Sequence, residues 1–237
     1  MIYGKYDLPF TVEYEGVSIA MNKGSDSTYR YTRMCGESAV EKTVVVSKGE
    51  LLIQPVEPLN TPKVLTPYLL LEFEQKLLLE PKGTKKLFVT FPIEIAVLIR
   101  LNKEVNVLDC LSLNAQKFTL YGDPKQGLIC KYWKAPTYDT MPAPDPLREG
   151  VLELTLSSSS REWEEISKTV LNAYGMKVYY NDALVTLKGK MKIGDDNVAE
   201  TEMQDTGLER GMKKSPETFA PRKLSMTTTT FRMEYGV

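Results

Sequence analysis

The sequence predicts an all-β protein, organised as two antiparallel β-sandwich-like domains in tandem. Three observations predict it. Runs of alternating apolar and polar residues recur every 8–12 residues or about that, turn residues separate them, and sustained helical periodicity is nearly absent. Pro55, Pro58, Pro62, Pro67, Pro81 and Pro92 add a constraint. They fall where a central strand would not tolerate them, so they mark edges, strand starts or turns.

The elements follow in order. Phe10, Val12 and Tyr14 alternate with polar residues, and Val17, Ile19 and Met21 do so again after Glu15-Gly16. A hairpin loop at Glu15-Gly16 sets Tyr14 opposite Val17, Val12 opposite Ile19 and Phe10 opposite Met21, which puts all six on one face. The same logic predicts a second hairpin across Lys48-Gly49, with Val46 opposite Leu51 and Val44 opposite Ile53. Further strands are expected at Tyr29–Met34, Pro67–Glu74, Lys86–Arg100, Val105–Leu111, Phe118–Tyr121 and Leu128–Trp133. Together they make an N-terminal domain, residues 1–134.

Pro136, Pro142, Pro144 and Pro146 then cluster among small residues, which reads as a stiff extended linker over 135–147. The second domain, 148–237, opens with a strand at Val151–Ser157 that places Leu152, Leu154 and Leu156 on one face. Residues 160–173 carry two signals. Ser159 with Glu162 resembles a helix capping box, and Trp163, Ile166 and Val170 have helical spacing, yet Ile166, Lys168 and Val170 also alternate. The strand is preferred because every neighbour is one. Met176–Tyr180 and Ala183–Ile193 form a hairpin across Asn181-Asp182, with Val185, Leu187, Met191 and Ile193 opposite Thr186, Lys188, Lys190 and Lys192. A long polar loop over 194–221 holds a short strand at Ala199–Met203, and Leu224–Tyr235 is a closing strand.

Composition removes whole classes of chemistry. The chain has no histidine, so no Ser-His-Asp or Cys-His triad can form, nor a histidine-ligated zinc site. Lys+Arg (30) and Asp+Glu (31) nearly cancel, and each part on either side of Pro146 is close to neutral. No overall field therefore draws the chain to nucleic acid or an anionic membrane. The longest apolar run, Ile95–Ile99, is far short of the roughly 20 residues a spanning helix needs. No signal peptide is visible after Met1, and a cytoplasmic location is expected. Cys35, Cys110 and Cys130 are too few and too scattered for a disulfide framework, and read as buried thiols. A single Cys35–Cys110 or Cys110–Cys130 bridge is the alternative.

Candidate site residues are few. The loop Gly122-Asp-Pro-Lys-Gln-Gly127 suits a type I turn in which Asp123 caps and Gly127 takes positive φ. Its functional reading offers Asp123 and Lys125 to a ligand beside Tyr121. Glu94, between two isoleucines after Pro92, needs a partner if buried, and Arg100 or Lys131 would serve. Glu72 and Glu74 share a strand face, and with Glu57, Glu94 or Asp109 they would make an oxygen site for Mg²⁺ or Ca²⁺ or an acid/base pair; convergence of Glu57, Glu94, Asp109 or Asp123 in one pocket would mark an enzyme. Trp133, Tyr132, Tyr121 and Trp163 would make an aromatic platform if assembled. The lysines at 188, 190 and 192 read as a device that stops sheet edges from pairing. No cofactor or metal motif is evident.

Several segments carry a resemblance. Met1–Asp7 (Met-Ile-Tyr-Gly-Lys-Tyr-Asp), Ile53–Asn60, Phe91–Glu94, Leu120–Trp133 and Ala173–Asp182 together resemble an uncharacterised archaeal conserved-domain family of unknown function. The resemblance implies an archaeal cytoplasmic protein and carries no activity, cofactor or active site. Genes of that family sometimes neighbour those of small-conductance mechanosensitive channels, which implies a channel as one partner. The expected function is that of a non-enzymatic binding or adaptor protein with a protein partner, without nucleic acid and without membrane insertion. Tyr121, Asp123, Lys125, Glu94 and Trp133 are its expected binding residues. A carboxylate-dependent hydrolase or glycan-processing enzyme is the alternative.

Overall fold

The computed structural model describes residues 2–46, 49–61, 65–101, 104–218 and 230–237. Among them the fold is all-β, with no α-helix. The strands are β1 (Gly4–Asp7), β2 (Phe10–Tyr14), β3 (Val17–Lys23), β4 (Thr28–Cys35), β5 (Ser38–Val45), β6 (Glu50–Val56) and β7 (Tyr68–Leu79). There follow β8 (Thr84–Pro92), β9 (Glu94–Leu101), β10 (Glu104–Leu111), β11 (Phe118–Tyr121), β12 (Leu128–Ala135) and β13 (Thr137–Tyr138). The remainder are β14 (Glu149–Ser158), β15 (Glu164–Asn172), β16 (Tyr179–Tyr180), β17 (Val185–Ile193), β18 (Ala199–Gln204), β19 (Lys213–Lys214) and β20 (Thr230–Met233).

The chain divides into two compact units, 1–54 with 95–110 and 55–94 with 111–237. This division does not follow the proline-rich segment. Strand β14, beyond that segment, pairs along its length with β8 before it, and β15 pairs with β7.

The first unit holds two four-stranded sheets, ordered β2-β3-β4-β5 and β1-β6-β9-β10. The β2–β3 hairpin has the predicted register, Phe10↔Met21, Val12↔Ile19 and Tyr14↔Val17. Its turn residues Glu15 (φ 44°) and Gly16 (φ 84°) are both left-handed, the geometry that matches the twist of the flanking strands. Val17, Ile19, Met21 and Tyr31 are buried on one face, and Leu51 and Ile53 are buried in the other sheet. Tyr31 Oη (2.9 Å) and Arg33 Nε (2.7 Å) both donate to Asp109 Oδ2 and so join β4 to β10. The second predicted hairpin does not form. Val44 pairs with Tyr29 and Ile53 with Gly4, so β5 and β6 belong to different sheets. Alternation marks each strand correctly but is blind to which sheet it joins. Ser47 and Lys48 of the expected turn, Pro62, and residues 224–229 of the expected closing strand lie outside the described residues.

The second unit pairs a sheet β11-β12-β7-β15 with a larger one ordered β13-β8-β14-β17-β16-β19, to which β18 is added beside β17 and β20 beside β18. Two pairings are parallel, β12 with β7 and β14 with β17, where antiparallel order was expected throughout. Leu69, Leu71, Phe73, Ala135 and Leu171 are buried in the smaller sheet. Leu152, Leu154 and Leu156 of β14 lie beside Leu187 and Met191 of β17 in the larger. Contacts of β7 and β12 with β8, and of β15 with β18 and β20, close the apolar layer.

Residues 164–172 are strand, and no capping box forms: Ser160 Oγ, not that of Ser159, accepts the Glu162 N–H at 3.0 Å. The expected hairpin at Asn181 shrinks on one side to Tyr179–Tyr180, which pairs with Thr186 and Val185. The lysine stripe is not on an edge. Strand β17 is interior, and Lys190 and Lys192 lie opposite Glu202 and Glu200 of β18. Cross-strand charge pairing therefore explains the stripe.

Gly150 on β14 lies opposite Phe91, and a Cβ there would strike the buried Phe91 ring. The Gly150→Ala variant is expected to lose about 1–3 kcal/mol of stability through overpacking. A thermal melt checks this, and an unchanged Tm would contradict the packing described.

Candidate functional site

Glu94 is fully buried. Its Oε2 accepts the backbone N–H of Asn60 at 2.6 Å, and its Oε1 accepts the N–H (3.0 Å) and hydroxyl (2.8 Å) of Thr61. Lys131, on β12, reaches the same Oε1 at 2.8 Å and gives its other two protons to the carbonyls of Pro58 and Thr61, each at 2.8 Å. All three ammonium donors are thereby used. Burial pushes the Lys131 amine down from its ordinary value, and the Glu94 charge opposes that shift. Of the two partners the sequence suggested, Lys131 is the one; Arg100 pairs with Glu50 at 2.9 Å.

Nearby, Glu57 Oε1 accepts from the N–H (3.0 Å) and the hydroxyl of Thr218, whose oxygen also accepts from Asn60 Nδ2 at 3.2 Å. Sequence reasoning missed Asn60, Thr61 and Thr218. The first two supply mainly backbone donors, which every residue owns, and Thr218 is distant in sequence. This polar knot is a brace for the 57–61 segment. Its carboxylates and ammonium are occupied by partners within the chain.

The Tyr121–Gly127 loop also serves the architecture. Asp123 Oδ1 accepts the Lys125 N–H at 2.7 Å, and the Asp123 carbonyl accepts from Gln126 (3.2 Å) and Gly127 (2.6 Å). The left-handed glycine is Gly122 (φ 101°), not Gly127 as the turn reading expected. Gly127 is needed because a Cβ there would strike the Asp123 and Tyr121 carbonyls. Tyr121 is buried, donates to the Gly236 carbonyl at 3.0 Å and accepts the Tyr235 N–H at 3.1 Å. The Tyr235 ring meets it edge-on, 5.5 Å between centroids. Residues 122–126 are all exposed, and the Lys125 side chain is one of those offered to solvent.

The predicted aromatic platform is not assembled. Trp133 Nε1 turns to Thr90 Oγ1 at 3.4 Å, and Trp163 borders a separate groove. Tyr121 and Tyr132 do share a cleft of about 260 Å³ on the face of the smaller sheet, with Leu70, Glu72, Ser167 and Lys168. The pairing explains its charge. Glu72 on β7 lies directly between Lys134 of β12 and Lys168 of β15. A bulge between Ile166 and Lys168 re-aims the strand at this point. The Lys168 ammonium stands 5.8 Å above the Tyr121 ring. A hydrogen bond to Glu72 holds the Tyr132 phenol above its ordinary value. Glu72 and Lys134 are exposed, so this row of cation, anion and cation faces outward.

The remaining candidates are dispersed. Asp109 is held by Tyr31 and Arg33 in the first unit. Among the described residues no group of three or more Cys, Asp or Glu side chains is placed to hold a metal ion. All three cysteines are free thiols; Cys130 is buried, whereas Cys35 and Cys110, also expected inside, are partly exposed. No helix among the described residues is long and apolar enough to cross a membrane.

Two outcomes follow from these contacts. Glu94→Gln leaves the Lys131 charge buried without its counter-ion and is expected to cost about 3–5 kcal/mol, with the Glu94→Gln/Lys131→Met pair less damaging than the sum of its parts. Denaturant melts of the double-mutant cycle measure it, and additivity would contradict the pairing. The second concerns alkali. Burial pushes the Cys130 thiol from 9.0 up to about 12, and the Tyr121 phenol from 10.0 up to about 12. Their protons are kept by the folded chain and released by the unfolded one, so stability falls as pH rises from 9.0 toward 12. A Cys130→Ala variant is expected to flatten that fall in Tm; an identical slope would show that the thiol is not protected.

No curated protein and no solved structure matches the chain. A family match covers residues 2–234, all but the ends of the sequence. The chain belongs to the family of proteins of unknown function designated DUF432.

Proposed function

We propose that the protein is a non-enzymatic binding module, an adaptor acting in the cytoplasm, and that a partner protein docks on the face of the smaller sheet around Glu72, Tyr132 and Lys168. One observation carries this reading. The buried acids and bases that could perform chemistry are consumed by internal partners, whereas the row Lys134–Glu72–Lys168 is presented outward on a braced sheet. Exposed polar groups on a rigid scaffold support recognition. Lys125 belongs to the exposed loop that begins at Tyr121, a residue that lines this face. Channels of the small-conductance mechanosensitive type are the first partner to try, through their cytoplasmic parts.

The rival reading, a carboxylate-dependent hydrolase, requires its acids in one pocket. Glu57 and Glu94 come together through Asn60 and Thr218, but their oxygens are occupied by protein donors. Asp109 has its own partners and Asp123 caps a turn. The geometry favours binding.

Affinity capture from cytosolic and detergent-solubilised membrane fractions tests the proposal, with wild type beside Lys168→Glu and Lys125→Glu. A stoichiometric partner is expected with wild type, weakened about tenfold or more by Lys168→Glu. Tm should hardly move in Lys125→Glu, because only the Lys125 backbone serves the turn. A partner indifferent to both substitutions, or no partner in either fraction, would contradict the proposal.

A further inference from the structure

Trp163 is the most exposed large aromatic in the described chain, at 64 %. A tryptophan left in water forgoes a large burial gain, and tryptophans are rarely this exposed in monomers. Its neighbours around the adjoining groove are polar or charged. It stands at the side of a groove of about 860 Å³ whose other walls come from Lys82, Ser159–Glu162, Glu164, Asp195 and Asn197. That volume falls within the range of small-ligand sites.

The groove floor is fixed by its own bonds. Ser159 gives both its N–H (2.9 Å) and its hydroxyl (3.1 Å) to the Ile193 carbonyl. The buried Ser160 takes the Glu162 N–H on its hydroxyl and the Lys82 N–H, at 3.3 Å, on its carbonyl. Lys82 (φ 57°) and Asn197 (φ 59°) are two of the few non-glycine residues in left-handed backbone, and both line the groove. Strained backbone gathered at one cleft is characteristic of binding sites. A floor built before the ligand arrives lowers the ordering cost of binding.

We infer that this groove binds a saccharide, with the Trp163 ring as the platform for one pyranose face. The chemistry selects that class. Lys82 and Arg161 oppose Glu162, Glu164 and Asp195, so neither sign dominates and a phosphate or polycation finds no matching field. Carboxylate, amide, guanidinium and hydroxyl groups at one rim are the donors and acceptors that vicinal hydroxyls require. A sugar also carries an apolar C–H face, which suits an exposed indole bordered by polar groups. A protein hot spot would instead embed the tryptophan among apolar neighbours shielded from water. The site is separate from the sheet face proposed for the partner protein, and neither reading depends on the other.

The chain contains only two tryptophans, so its two indole N–H signals report the groove (Trp163) and the half-buried Trp133, bonded to Thr90, separately in a heteronuclear NMR spectrum. Maltotriose, cellotriose, mannotriose and chitotriose, titrated singly to about 10 mM, are the probes. With at least one of them the Trp163 signal is expected to shift saturably while that of Trp133 stays in place. High salt should leave the affinity unchanged. Trp163→Ala should weaken it about tenfold or more, with Tyr at that position retaining part of it. No saturable shift with any of these trisaccharides, or a shift that follows Trp133, would overturn the inference. So would loss of a captured protein partner in Trp163→Ala without any saccharide response, since the groove would then be a protein contact.

Discussion

The Glu94–Lys131 ion pair is the constraint around which the second unit is arranged. Two opposite charges removed from water are destabilising unless every remaining donor and acceptor finds a partner. Here that condition dictates local structure. Lys131 must stand on the inner side of β12, and the 57–61 segment must fold over the pair to present two carbonyls and two amides. The parallel pairing of β12 with β7 sets Lys131 opposite Leu69, at the start of the buried Leu69–Leu71–Phe73 row. The polar knot and the apolar layer are therefore in register with each other. In the first unit the same rule operates on a smaller scale, with Asp109 answered by Arg33 and Tyr31.

Much of the fold was legible where the signal is local. The β2–β3 register was readable because six alternating apolar residues flank a loop that only one turn geometry closes. Residues 164–172 were legible as strand, narrowly, from the alternation of Ile166, Lys168 and Val170. What failed was long-range. Nothing in the alternation of Val44 or Ile53 says that their partners are Tyr29 and Gly4. Neither parallel pairing has a local signature, because its two strands are far apart in sequence. The proline-rich segment was read as a boundary from its stiffness, yet strands from both sides of it share sheets. Of the candidate site, Glu94 was recognisable as a carboxylate in an apolar run and Lys131 as one of two partners. The row Lys134–Glu72–Lys168 was not, since three strands from distant parts of the chain create it.

This distribution of polar groups shapes the functional account. Residue types that suggest chemistry in a sequence are, in this molecule, largely spent on holding loops and sheets together. Tyr121, Asp123 and Glu94 are all of this kind. The groups left over are on the surface, in the charged row of the smaller sheet and in the groove beside Trp163. These are the groups through which the proposed recognition of other molecules would act.

Amide hydrogen exchange at Asn60 and Thr61 reads out whether the buried ion pair holds the 57–61 segment. Neither residue lies in a strand, so their N–H groups owe any protection to the Glu94 carboxylate. Both are expected to exchange as slowly as the interior of β7 and β12, opening only when the second unit unfolds. Exchange at the rate of an open surface loop would contradict this, and would mean that the buried charges do not govern the structure around them.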